Sequence, residues 1–154
     1  MKPGVFTQIY IHFVFSPKHR DRLLETKIRA DVFRYISGII SNRKHKSIII
    51  NGMSDHIHIL VGFNPDDRIS DLVGSIKSSS SIYINSKDWL RGKFHWQNGY
   101  GAFSHSKSQL KNVYKYIKNQ EKHHEKKSFR DEYNQLLKRN GIKYDKKFLF
   151  EFFD

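Results

Sequence analysis

Hydrophobic and polar positions along the chain alternate between the two-residue period of a strand and the three-to-four-residue period of a helix. Residues 5–15, Val5-Phe6-Thr7-Gln8-Ile9-Tyr10-Ile11-His12-Phe13-Val14-Phe15, are β-branched and aromatic with partial alternation, which predicts a first strand. A basic turn, Ser16-Pro17-Lys18-His19-Arg20-Asp21-Arg22, follows it. Between about residues 23 and 43, Ile28, Val32, Tyr35, Ile36 and Ile39 recur at helical spacing, and Gly38 weakens this helix without ending it. Residues 45–53 contain Ser47-Ile48-Ile49-Ile50, a second strand. Gly52-Met53-Ser54-Asp55 is a tight connection into a third strand, His56-Ile57-His58-Ile59-Leu60-Val61, so the two form an antiparallel hairpin. Asn64-Pro65-Asp66-Asp67 has the composition of a helix start, and Ile69, Leu72, Val73, Ile76 and Tyr83 give that helix an apolar face. The serines at 78–81 sit on the same helix, where small side chains allow another chain or a phosphate backbone to approach closely. A fourth strand begins at Lys93-Phe94-His95-Trp96-Gln97 and resumes after Asn98-Gly99 as Tyr100-Gly101-Ala102-Phe103-Ser104. Ser106 or Ser108 caps the next helix, whose buried stripe is Leu110, Val113, Tyr114 and Ile117. A charged stretch, 118–130, leads to a short helix at roughly 129–139, ended by Asn140-Gly141.

The resulting order, β-α-β-β-α-β followed by helices, predicts an α+β fold of the ferredoxin-like or RRM-like kind. Helices cover one face of a four-stranded antiparallel sheet, and the other face is expected to be open. No repeat or flexible linker divides the chain, so a single domain over residues 1–154 is expected. Its core spans about 5–121, with a C-terminal helical extension and hydrophobic tail at 122–154. The tail, Phe148-Leu149-Phe150-Glu151-Phe152-Phe153, would be an aggregation hazard in solvent, so it should pack on the core or across an interface.

Composition narrows the function. The chain has 28 Lys and Arg against 15 Asp and Glu, a formal net charge of +13. That excess repels itself in the folded state and is relieved by a polyanion. The basic residues are spread along the chain and are not gathered on one amphipathic helix, which favours nucleic acid over an anionic membrane. There are no cysteines, which removes disulfides and zinc–thiolate sites from consideration. With no window approaching the ~18–20 apolar residues of a membrane span and no signal-peptide pattern before the first strand, a cytoplasmic location is expected.

Two features bear chemistry. His56 and His58 are two residues apart on a strand, so both imidazoles point to one face while Ile57 and Ile59 point to the other. Tyr116 and Gln120 are four residues apart on the following helix, off the stripe of Leu110, Val113 and Ile117. If that face meets the histidine strand, Gln120 supplies a third ligand, and two imidazoles, an amide oxygen and water suit Mg²⁺ or Mn²⁺. Tyr116 then stands where its phenol can attack phosphorus, with Lys115 among the basic groups that would favour the phenolate. Tyr114 is a competing nucleophile whose spacing from Leu110 and Ile117 reads as core. A different class of function also fits: a non-catalytic single-strand nucleic-acid binder using Tyr10, Phe13, Phe94 and Trp96 as stacking platforms. It has no use for the histidine pair or the Tyr116–Gln120 face.

The His-hydrophobic-His strand, the sequence Tyr116-Ile117-Lys118-Asn119-Gln120, and the Ser16-Pro17-Lys18-His19-Arg20 turn together resemble the single-tyrosine HUH transposases of insertion sequences and their repeat-associated relatives. The resemblance covers about residues 7–120. It implies that His56, His58 and Gln120 hold one divalent metal ion. It implies that Tyr116 is the nucleophile, forming a 5′-phosphotyrosine and leaving a 3′-OH. It implies binding to hairpins in single-stranded DNA by a homodimer with shared active sites. Lys18, His19, Arg20 and Arg22 become candidate contacts to the DNA backbone. The family includes both mobile elements and domesticated repeat-associated nucleases, which the residues do not separate.

Overall fold

The computed structural model of the protein describes residues 2–18 and 24–153. Four strands, β1 (Tyr10–Phe15), β2 (Lys46–Met53), β3 (His56–Gly62) and β4 (Gly101–His105), form one sheet. Its order is β2-β3-β1-β4, with every neighbouring pair antiparallel. The helices are α1 (Thr26–Asn42), α2 (Ile69–Ser86), α3 (Leu110–Lys118), α4 (Gln120–His123) and α5 (Phe129–Arg139). The α+β class and the β-α-β-β-α-β order are as the periodicities predict.

One face of the sheet holds the main core. Ile11, Phe13 and Phe15 of β1 and Ile57, Ile59 and Val61 of β3 are buried on alternating positions. Ile28, Val32, Ile36 and Ile40 of α1 and Leu72, Val73, Ile76 and Ile84 of α2 join the same apolar cluster or line its margin as buried residues. The intervening residues of β3, His56, His58 and Leu60, are also fully buried. The second face is therefore covered, contrary to the open face expected from sequence. α3 and α4 lie against β2, α3 also touches β3, and α5 brings Phe129 onto the His56 ring.

Several boundaries differ from the sequence reading for physical reasons. β1 begins at Tyr10, and Val5 and Phe6 are exposed at 44% and 83% because no strand pairs with them. The Asn64–Asp67 segment is a turn that precedes α2. Asn64 Oδ1 accepts from the Asp66 N–H at 3.0 Å, and Asp67 receives a bidentate bond from Arg43 at 2.7 and 2.8 Å. Residues 95–97 belong to no main strand. They make a short antiparallel bridge to 16–18, with Lys18 N–H donating to His95 O and Gln97 N–H to Ser16 O, both at 2.8 Å. α3 stops at Lys118 because Asn51 of β2 donates to the Ile117 and Lys118 carbonyls at 2.9 and 3.1 Å. Tyr114 is not core: it is 39% exposed, and only Ile117 of the expected stripe is buried. Three of the four expected stacking platforms are buried, Phe13 and Phe94 at 0% and Trp96 at 7% exposure, and Tyr10 is half-buried. The serine run is used internally at Ser80, whose hydroxyl donates to Ile76 O at 2.5 Å and accepts from Trp96 Nε1 at 2.9 Å.

The C-terminal tail packs on the core. Phe150 lies against Phe129 and Tyr133, and Phe152 against Phe129. The Gln97 side chain clamps the tail backbone, accepting from Glu151 N–H at 2.7 Å and donating to Glu151 O at 2.8 Å. Phe148 is the exception, at 80% exposure.

Candidate active site

The β2–β3 hairpin places the histidines. Gly52 is required at its end, because a Cβ there would stand 2.3 Å from the His56 carbonyl oxygen. From that turn His56 and His58 project onto the face covered by α3, α4 and α5. Asn51, opposite His58 in the ladder, ties the end of α3 to this part of the sheet. The kink at Asn119 leaves Tyr116 and Gln120 directed to the same place, although they lie on two helices and not one.

A carboxylate absent from the sequence reading sits at the centre. Glu132 Oε1 is 3.2 Å from His56 Nε2, 3.2 Å from His58 Nε2 and 3.0 Å from His124 Nε2. Its Oε2 accepts from Gln120 Nε2 at 2.9 Å and from the Tyr116 hydroxyl. Gln120 Oε1 in turn lies 2.9 Å from His56 Nε2 and 3.1 Å from His124 Nε2. The structure thus brings His56, His58, Tyr116 and Gln120 together within one chain and adds Glu132 and His124. Of the basic-turn residues, Lys18 is exposed beside the 95–97 bridge, and His19, Arg20 and Arg22 lie outside the described residues.

Glu132 was not flagged from sequence because it lies beyond the segment carrying the motifs. One signal did exist. Phe129, Tyr133 and Leu137 mark the buried stripe of α5, and Glu132 falls on the same face at i+3, an acid where packing asks for an apolar residue.

Electrostatics follow from burial. Burial alone would push the Glu132 carboxyl up, but the imidazoles of His58, His124 and His56 override it and hold it far below the usual range. Burial opposes a charge on His56, yet hydrogen bonds to Asp55 and Glu132 raise it to about 9. Its Nδ1 lies 2.7 Å from Asp55 Oδ1 and its Nε2 faces the Gln120 oxygen, so both ring nitrogens donate. Burial lowers His58 and His12, which share one proton between His58 Nδ1 and His12 Nε2 at 2.8 Å. His12, also missed from sequence, thereby orients the His58 ring from the neighbouring strand. Burial and the adjacent Glu132 charge push the Tyr116 phenol far above its ordinary value.

His56 makes metal-free stability depend on pH. Its folded pKa of about 9 exceeds the unfolded value near 6.5, so the proton's contribution is full below pH 6.5 and is lost as pH rises through 9. The difference is worth at most about 3 kcal/mol. Thermal melts in chelator should show it as a falling wild-type stability relative to His56→Gln between pH 7 and 9.5. That difference cancels the opposite slope from Lys77, which burial lowers to about 8. Parallel profiles for the two proteins would contradict the assignment.

The donor set fits a divalent cation. Single ligand atoms of His56, His58 and Glu132 lie within 4.8 Å of one another, all three residues buried, and the Gln120 amide oxygen adjoins them. Two imidazoles with carboxylate and amide oxygens suit Mn²⁺ or Mg²⁺.

A four-stranded sheet with paired histidines facing a helix-borne tyrosine and glutamine defines a class, and the comparisons agree with it. The chain belongs to the family described as "Transposase IS200 like", which matches residues 5–120. Among individual relatives, it is 25% identical over 122 residues to the ISDra2 transposase TnpA of Deinococcus radiodurans, covering 76% of this chain and 87% of that protein. It is 26% identical over 114 residues to the transposase for insertion sequence element IS200 of Salmonella typhimurium, covering 71% and 74%. A putative transposase from Deinococcus radiodurans R1 shares the fold, with a TM-score of 0.61 at 21% identity over 78% of this chain and 96% of that one. So does a REP-associated tyrosine transposase bound to a REP hairpin, with a TM-score of 0.60 at 15% identity over 80% and 74%. Glu132 and the tail fall outside the matched family segment. No helix among the described residues is long and apolar enough to cross a membrane.

Proposed function

We propose that this transposase-family chain cuts and rejoins single-stranded DNA through Tyr116, with one Mg²⁺ or Mn²⁺ ion held by His56, His58, Gln120 and Glu132. The observation that carries the reading is the shared carboxylate: Glu132 touches both histidines and the Tyr116 hydroxyl at once.

A cation held by these residues would supply charge neutralisation at the scissile phosphate. The chain's own groups do the rest. Tyr116 Oη bonds to phosphorus, the bond to the 3′ oxygen breaks, and a 5′-phosphotyrosine and a 3′-OH result. Tyr116 gives up its phenol proton to solvent as it attacks, because Glu132, held far below the usual carboxylate range, is too weak a base to keep it, and the departing 3′ oxygen takes a proton in turn. Rejoining is the reverse step with a new 3′-OH, so no nucleotide cofactor is required. His12 and Asp55 are positioning residues that hold the rings of His58 and His56.

The hairpin-bound neighbour supports DNA hairpins as ligands. Lys18, His19, Arg20 and Arg22 are proposed backbone contacts there. The assembly proposed is a homodimer, which a strictly monomeric mass in solution would remove. Shared sites would require α3 and α4 to exchange between chains about Ser106, the short connection after β4.

The test is a cleavage assay with Mn²⁺ or Mg²⁺ on hairpin-bearing single strands drawn from the DNA flanking the gene. The single strand should be cut with a covalent adduct, and a perfect duplex of the same sequence should not, because a stacked duplex resists presenting its phosphate to Tyr116. Equal cutting of both, or cutting in excess chelator, would refute the proposal.

A further inference from the structure

Five lysines of the Tyr116 helix region are left unused by the site. Lys111, Lys115 and Lys118 are spaced by four and three residues, which stacks them along one face of α3, and Lys107 in the turn before it and Lys122 in α4 flank them in the chain. All five are exposed. At about 100° per residue the three on α3, Lys111, Lys115 and Lys118, fall within an arc of roughly 60°, on the side of that helix away from Tyr116 and Ile117. Among the described residues none of them forms an ion pair. Elsewhere cations are partly neutralised, as in Lys2–Asp66, Arg34–Asp31 and Arg43–Asp67. Between 107 and 123 the one acid is Glu121.

A groove continues the row toward the site. It encloses about 720 Å³ and is lined by Asn119, Lys122, His123, Lys126 and Lys127, together with the acids Glu125 and Asp131. His123 forms part of its wall and also meets the Tyr116 ring edge-on, with centroids 5.2 Å apart. The lysine row therefore ends at an opening whose inner wall touches the nucleophile.

We propose that this lysine row and the groove beside His123 form the track along which the phosphates of the single strand run up to Tyr116. The proposal rests on the reading of the preceding section and adds the strand's path to it. A row with about one cationic end per turn of α3, flanked by Lys107 and Lys122, follows a sugar–phosphate backbone without reading bases. That is how single strands are held irrespective of sequence. The hairpin is assigned to Lys18, His19, Arg20 and Arg22 under the proposed function, so the row is assigned to the unpaired segment that carries the cleavage site.

The experiment compares three proteins on oligothymidylate, which forms no hairpin, by fluorescence anisotropy across a salt series. The first is wild type. The second carries Lys111→Gln, Lys115→Gln, Lys118→Gln and Lys122→Gln. The third carries Lys27→Gln, Lys87→Gln, Lys143→Gln and Lys146→Gln, with the same net charge. Gln and Lys have similar helix propensity, and circular dichroism checks that each folds. The row variant should lose at least about tenfold in affinity at ~50 mM salt, and its slope of log K against log salt should shrink by about 0.7 per lost contact. The control should stay near wild type. Equal losses in both variants would overturn the track by showing a general charge effect, and a row variant that binds like wild type would overturn it directly. Tighter binding of oligouridylate than oligothymidylate would overturn DNA as the occupant. Adduct formation on hairpin substrate by wild type, read in parallel, separates the cases. Its absence sinks the catalytic reading, and its presence with unaltered row-variant binding sinks only the track.

Discussion

Tyr116→Phe is expected to abolish both the covalent protein–DNA adduct and strand cleavage, a loss of at least about 1000-fold, as when other covalent nucleophiles are removed. No other hydroxyl takes its place. Tyr114 is 39% exposed and sits on another side of α3. The neighbouring positions of the cluster are filled by Gln120 and imidazoles, which have no phenol to offer. The substitution removes one hydrogen bond from Glu132, whose Oε2 keeps the Gln120 amide at 2.9 Å. The fold therefore loses only about 1–2 kcal/mol, or a few degrees of melting temperature. Tyr114→Phe should retain cleavage. Denaturing gels with end-labelled hairpin substrate read both outcomes. An adduct that survives Tyr116→Phe would move the nucleophile elsewhere.

Local pattern made most of this molecule legible. β3 could be read because alternation sorts His56 and His58 from Ile57 and Ile59 whatever surrounds the strand. α5 ended where Asn140-Gly141 predicted, with Gly141 at φ 65°. What could not be read were decisions made by partners distant in sequence. The residues at 93–97 have strand composition, yet β1 has its edge occupied by Gly101–His105, so they pair only with 16–18. The Tyr116–Gln120 spacing suggested one continuous helix, but Asn51, 66 residues away from Ile117, takes the carbonyls that would have continued it. The second sheet face looked free because its cover, α3 and α4 with α5, is built of short helices around a charged stretch. The last of these carries Glu132. Its place on the stripe of Phe129, Tyr133 and Leu137 marks it as inward-facing, but only the fold shows the three imidazoles it meets there.

Glu132 is also where the second large effect is expected. Removing one partner of a buried charged network leaves the others unpaired and costs about 3–5 kcal/mol. Glu132→Ala would leave the Gln120 amide N–H and the Tyr116 hydroxyl without their acceptor and take one of its two carboxylate partners from the His56 imidazolium. At ~2–4 °C per kcal/mol for a domain of this size, melting in chelator should fall by roughly 6–20 °C. Glu132→Gln keeps the shape and loses the charge, so its melting temperature should fall less, and His56 should titrate closer to its ordinary range. Metal affinity discriminates the role of the carboxylate. Replacing even an outer partner of a ligand commonly costs 10–100-fold, so a residue whose oxygen lies among the ligand atoms should cost at least as much. Titration of Mn²⁺ into each variant, followed by the loss of its free electron-spin signal, should show Glu132→Gln and Glu132→Ala both weakened by tenfold or more. The alternative has the opposite sign. If the carboxylate only fills the space between His56 and His58 until a cation displaces it, Glu132→Ala would bind Mn²⁺ more tightly than wild type. That result would take Glu132 out of the ligand set and leave it as a competitor for the site.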